Sequence, residues 1–293
     1  MVTDRKIIIS NGFTSRDITQ EPYYVKETKG FDKLSVRIVT SQGFDQDGAS
    51  VLNDYILPRP MEIHGQIKAF SPEKMQEIKD KIFNLFLPKR NITINHYYGG
   101  RNRIITARVE ETPEFQFTEV SSVEEYVVCL EAADPYWKDP IETLIPIANM
   151  TGGLHFPLII PVDEGVTFGI KSATLIANAY NYSAVNVGMR IVFIANGTVT
   201  NPQLFNVNTR EFIKINCEMA PGETITVTTG TDKTVTRNYQ GIDEDYIGKI
   251  DIPGGGNTFL VLAPGDNLLR YGAEGGEDML EVRLYYQNKY LGV

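Results

Sequence analysis

Three histidines, two cysteines and two runs of carboxylates are the side chains with which this chain could do chemistry. His64, His96 and His155 lie far apart in sequence, and no pair has the short spacing of a zinc site. Cys129 and Cys217 each sit in a strand-like apolar run, "YVVCLEA" and "FIKINCEM", which reads as two buried thiols and no disulfide. The acidic stretches are "GIDEDYIG" at 241–248 and "EGGEDML" at 274–280. Paired carboxylates such as Asp243 and Glu244 could serve a glycosidase or hold calcium. The calcium-loop pattern is absent, however, and solvated acidic loops between strands are the plainer reading. "IPGGGNTF" at 252–259 is glycine-rich, but a phosphate cradle should open a helix. The residues after it read instead as a strand and a turn. No nucleophile elbow, P-loop or His-Glu-x-x-His signature occurs. The sequence therefore assigns no catalytic, cofactor-binding or metal-binding residue and points to no enzyme.

The elements that would position these groups are mostly strands. "MEIHGQIKAF" at 61–70 alternates Met61, Ile63, Ile67 and Ala69 against polar partners, the period of a half-buried strand. In "SPEKMQEIKDKIFNLFLP" the period changes: Met75, Ile78, Ile82, Leu85 and Phe86 form one apolar stripe on a helix. Ser71 is its N-cap, Pro72 fits its first turn and Pro88 stops it. Three strands come next, with Gly99–Gly100 as a hairpin turn between the first two. Upstream, "KLSVRIVT" alternates as a strand and "SQGFDQDGAS" is a polar loop or mobile arm. Ala49 to Leu57 reads as a weak second helix.

The stretch "EAADPYWKDP" at 131–140 holds the only tryptophan. Its two Asp-Pro steps favour extended backbone, which suits a connector. Beyond it charge density falls, and Thr, Asn, Gly and Val dominate short alternating runs broken by Asn196–Gly197, Pro221–Gly222 and Pro264–Gly265. The chain of 293 residues is read as two β-sandwich domains, 1–140 with one α-helix and 141–293 as a jelly-roll or galectin-like sandwich, with Tyr136 and Trp137 packed in the seam. Net charge is −9, the wrong sign for a nucleic-acid clamp. No run approaches a membrane span. No secretion leader is read in "MVTDRKIIISNGF", so folding in a cytoplasm is expected.

Three blocks carry a resemblance to a family: "FDKLSVRIVTSQGFDQDGASVLNDYILPRPMEIHGQIKA", the strand and Asp-Pro-aromatic turn of "VVCLEAADPYWKDP" (Asp134, Pro135, Tyr136), and the closing "LEVRLYYQNKYLGV". Together they resemble the phage distal tail proteins, the phage tail component group of long-tailed phages and prophage particles. The resemblance implies a virion structural protein at the tail tip or baseplate. Its N-terminal domain would form a homohexameric ring that continues the tail tube protein and lets double-stranded DNA pass through the bore. Its outer C-terminal domain would meet receptor-binding proteins, and a tail-associated hub or lysin protein would dock below. Two alternatives remain open at this point. One is a lectin-like module binding cell-wall sugars on Tyr180 and Tyr182, should they face solvent. The other is a glycosidase using Asp243 or Glu244.

Overall fold

The computed structural model describes residues 5–117, 122–152, 169–172, 176–250 and 258–293. The chain divides into two compact units. One comprises residues 1–140 together with 289–293, and the other residues 141–288.

The first unit holds β1 (Lys6–Ser10), β2 (Ser15–Asp17), β3 (Tyr23–Lys29), β4 (Val36–Ser41), β5 (Ser50–Ile56), β6 (Arg59–Lys68), α1 (Pro72–Leu85), β7 (Asn91–Tyr98), β8 (Arg101–Phe117), β9 (Val123–Ala132) and β10 (Trp137–Lys138). Strands β2-β1-β7-β8-β9-β6-β3 run side by side in one antiparallel sheet. β8 serves both halves of it. Arg101–Arg108 pair with β7, and the strand pairs with β9 from Arg108 onward. Register shifts after Val109 and Glu111 mark where β8 bends between its two partners. Ile9 and Ile94 from one half, Ile63 and Leu130 from the other, and the apolar stripe of α1 then share one core. The helix forms where the local signals place it. The Ser71 side chain accepts the backbone N–H of Lys74, Pro72 opens the first turn, and Met75, Ile78, Ile82 and Leu85 are buried. The β7–β8 hairpin turns on Gly99 and Gly100, both at positive φ (56° and 74°), where a side chain would be strained.

Two expectations fail in this unit. Residues 50–56 form strand β5, not a helix, because β4 offers a full antiparallel ladder from Val36↔Ile56 to Ser41↔Ser50. A helix there would have had no core to cover. Trp137 is not a seam residue. It is wholly buried in the core of the first unit, where its indole N–H donates to Phe31 O at 2.9 Å.

The second unit holds β11 (Thr143–Gly152), β12 (Gly169–Ser172), β13 (Ile176–Asn181), β14 (Met189–Ala195), β15 (Val199–Thr200), β16 (Gln203–Asn206), β17 (Phe212–Lys214), β18 (Glu218–Met219), β19 (Thr224–Thr229), β20 (Lys233–Tyr239), β21 (Ile242–Asp245), β22 (Gly265–Gly272) and β23 (Leu280–Tyr286). Seven strands in the order β12-β11-β23-β14-β19-β20-β21 form one sheet, and β13-β22-β16-β17 form another. Alternate residues of both sheets, among them Ile191, Phe193, Val227 and Leu284 facing Leu204 and Leu269, fill a common core. The strand expected after the glycine run is absent in the described part. Leu260 and Leu262 are buried, yet their backbone makes a single bridge, Val187↔Leu262. The last strand, β24 (Lys289–Tyr290), leaves this unit and pairs with β10 of the first. Residues 289–293, expected in the second domain, thus close the first unit.

Candidate assembly surfaces

The groups that could have done chemistry are dispersed. His64 lies 2.9 Å from Glu62 on β6. His96 is buried on β7, where its Nε2 accepts from Arg5 Nε at 3.1 Å beside the rings of Phe31 and Trp137. Burial, reinforced by the neighbouring Arg5 and Arg103 and opposed by Asp32, pushes the His96 imidazole down to about 4. His155 and residues 252–257 lie outside the described residues. Cys129 and Cys217 are free, and each thiol is pushed up chiefly by burial. Asp243 and Glu244 are neighbours on the edge strand β21, so the pleat sends them to opposite faces. Asp243 accepts from Asn238, and Glu244 lies 3.6 Å from Arg237. In the other acidic run, Glu274 is held by Lys214 and Asn201, which lower its carboxyl. Among the described residues no three His, Cys, Asp or Glu side chains converge on a point. Tyr180 and Tyr182 are both exposed, 41% and 72%, with ring centroids 4.5 Å apart. No described helix is long and apolar enough to cross a membrane.

The feature that stands out is an apolar surface without a partner. Among the described residues β4 and β5 pair only with each other, forming a two-stranded arm. Ile38, Val51 and Leu52 are 60%, 65% and 66% exposed, and Phe44 at the tip is fully exposed at 107%. A lone two-stranded ribbon is marginal in water, and wet apolar side chains of this kind mark an interaction site. The alternation of Leu34, Val36 and Ile38 reads as a strand, and Val36–Ser41 form one. The chain itself buries neither face. The polar, glycine-bearing stretch 41–50 between two β-branched runs was the usable signal for an arm.

The arm has a rigid base. Arg59, immediately after it, is wholly buried. Its guanidinium donates to Gly30 O at 2.9 Å and Phe31 O at 2.6 Å, just before the arm, and to Pro135 O at 2.6 Å and Leu291 O at 2.5 Å. Four carbonyls stand in for the water that a buried cation loses. Leu57 N–H adds a bond to Ser35 O at 2.9 Å across the two legs. Arg103 donates to Gly292 O, and Val293 N–H to Asp32 Oδ1 at 3.1 Å. One buried cation thus ties both legs of the arm, the β10 region and the C-terminal tail together.

No family model and no curated protein matches the sequence. Solved structures match throughout their length. The crystal structure of the SPP1 Dit protein, described as a paradigm of the hub adsorption apparatus in phages infecting Gram-positive bacteria, aligns with a TM-score of 0.68 at 11% identity. The alignment covers 97% of this chain and 99% of that one. The chain has the fold of a phage Dit protein. A chain of the phage P2 baseplate in its activated conformation with calcium gives a TM-score of 0.59 at 12% identity, covering all of both chains. The strontium-bound baseplate gives 0.56 at 11%, covering 99% of each. The Dit fold here therefore extends over both units.

Proposed function

We propose that this chain is a structural, non-catalytic subunit of a phage tail tip. In this reading the first unit assembles as a homohexameric ring at the end of the tail tube, and the second faces outward toward the host-recognition apparatus. The observation that carries it is the full-length likeness to the Dit hub and baseplate chains. The unpartnered arm supports it, because a ribbon with exposed apolar side chains on a clamped base suits a contact made between subunits. The partners are then a second copy of the chain, the tube protein above, a hub or lysin below and receptor-binding proteins outside. The acidic balance of −9 suits a bore through which DNA moves without being held. Assembly in the bacterial cytoplasm and residence in the virion belong to the same reading.

Negative-stain images of the concentrated chain should show rings with a central hole. Gold-labelled antibody should mark the tail tip on intact particles. Label found elsewhere on the particle, or none, overturns the proposal. Replacing residues 36–56 by a short Gly-Ser turn should abolish the rings while leaving the helix and both cores folded by circular dichroism.

A further inference from the structure

The proposed ring needs a socket for the arm, and the fold carries a candidate. A groove of about 870 Å³ opens between the β2–β3 connection and the first turns of α1. Its apolar lining comes from Pro22, Tyr23, Ala69, Phe70 and Ile78. Its rim carries four cations, Arg16, Lys68, Lys74 and Lys81, and two carboxylates, Asp17 and Glu21. The carboxylates are already engaged. Asp17 accepts from Thr19 and lies 3.7 Å from Lys6, and Glu21 accepts the Tyr24 hydroxyl. Lys74 and Lys81 share Glu77. Arg16 and Lys68 have no carboxylate partner among the described residues.

The arm tip is the complement of this groove. Phe44 is fully exposed and is followed by Asp45 and Asp47, which have no cationic partner among the described residues. The tip is ordered by its own bonds. Gln46 N–H donates to Gly43 O, Gly43 N–H donates to Gln46 Oε1, and Asp45 adopts a left-handed φ of 66°. An aromatic held in water next to two carboxylates presents the features that an apolar slot with cations on its rim would take.

We propose that the tip, Phe44 with Asp45 and Asp47, seats in the Arg16–Lys68 groove of a neighbouring copy of this chain. The inference rests on the ring reading and names its contact. A knob and a socket on different parts of one chain make a head-to-tail contact, the kind that closes into rings. Two other grooves fit less well. The 250 Å³ one is lined by Asp243, Glu244 and Asp245, which would repel the tip. The 320 Å³ one offers a single cation, Arg270, against Glu277.

The test uses the full chain and reads self-association by analytical ultracentrifugation, with circular dichroism to confirm folding. Phe44→Ser, the tip variant Asp45→Lys/Asp47→Lys and the groove variant Arg16→Glu/Lys68→Glu should each weaken association at least tenfold. Mixing the tip variant with the groove variant, or combining all four charge reversals in one chain, should restore it. Such restoration is not expected of a charge change acting through stability alone. Rings that persist undiminished in all three variants overturn the docking and leave the ring reading standing. Loss that no charge exchange restores places the tip against another surface and also overturns it. A wild-type chain that stays monomeric at every concentration overturns both.

Discussion

At the scale of single residues, the base of the arm concentrates the costly groups. Arg59 is buried on four backbone carbonyls with Asp32 favouring its charge, and His96 is buried as a neutral ring accepting a bond from a cation. The histidine makes a pH prediction. In the unfolded chain its imidazole titrates near its ordinary value, whereas in the fold it is pushed down to about 4. The unfolded state therefore binds the proton first on acidification. The stability tied to His96 is complete above about pH 6.5 and is lost as pH falls toward 4, by on the order of 3 kcal/mol. Urea unfolding of wild type and His96→Gln between pH 7.5 and 4.5 should show the wild type losing more stability than the variant across that window. Parallel curves would mean that the ring is not held neutral. The chemistry in the sequence led nowhere for a similar reason at separate places: His64, His96, Asp243 and Glu244 each have a structural neighbour of their own.

At the scale of elements, α1 was legible because every signal for it is local. Ser71, Pro72 and the stripe of Met75, Ile78, Ile82 and Leu85 lie within fifteen residues, and the structure uses each as read. The stripe also bears a test. Ile82→Asp places a charge where the native side chain is 1% exposed and should cost about 3–5 kcal/mol in the first unit's unfolding free energy. A wild-type denaturation midpoint in that variant would put the stripe outside the core. β5 was not legible for an equally physical reason. Sequence periodicity reports burial, and β5, with both faces in water, carries no period to report. Leu260 and Leu262 show the converse. They alternate and are buried, but burial without a ladder looks the same in sequence as burial within one.

At the scale of the whole molecule, the second unit is an insertion in the first. The chain leaves at residue 140 and returns at 289 to add β24, so the first unit is incomplete until the last residues have been made. This closure was invisible in sequence because its contacts join residues far apart in the chain. Arg59 and Leu291 are 232 positions apart, and nothing in "NKYLGV" announces a partner. What the sequence did show was the break after residue 140, because Asp-Pro turns and a change of texture are local marks. The closure predicts an asymmetric response to truncation. Stopping the chain after Asn288 removes the Trp137↔Tyr290 pairing, one of the four carbonyls around Arg59 and the Gly292 acceptor of Arg103. The first unit should lose about 2–4 kcal/mol, the cost of stranding buried polar groups and opening a core edge, while the second keeps its stability. Calorimetry of the truncated chain should resolve a lowered transition for the first unit and an unmoved one for the second. Amide exchange should quicken at Phe31, Leu57 and Trp137, the residues around the buried guanidinium. Because that cation also fixes both legs of the arm, the truncated chain should assemble less well although every residue of its arm and groove is intact. Unchanged melting together with unchanged assembly would show that the tail only rests against the first unit, and that the arm takes its rigidity from elsewhere.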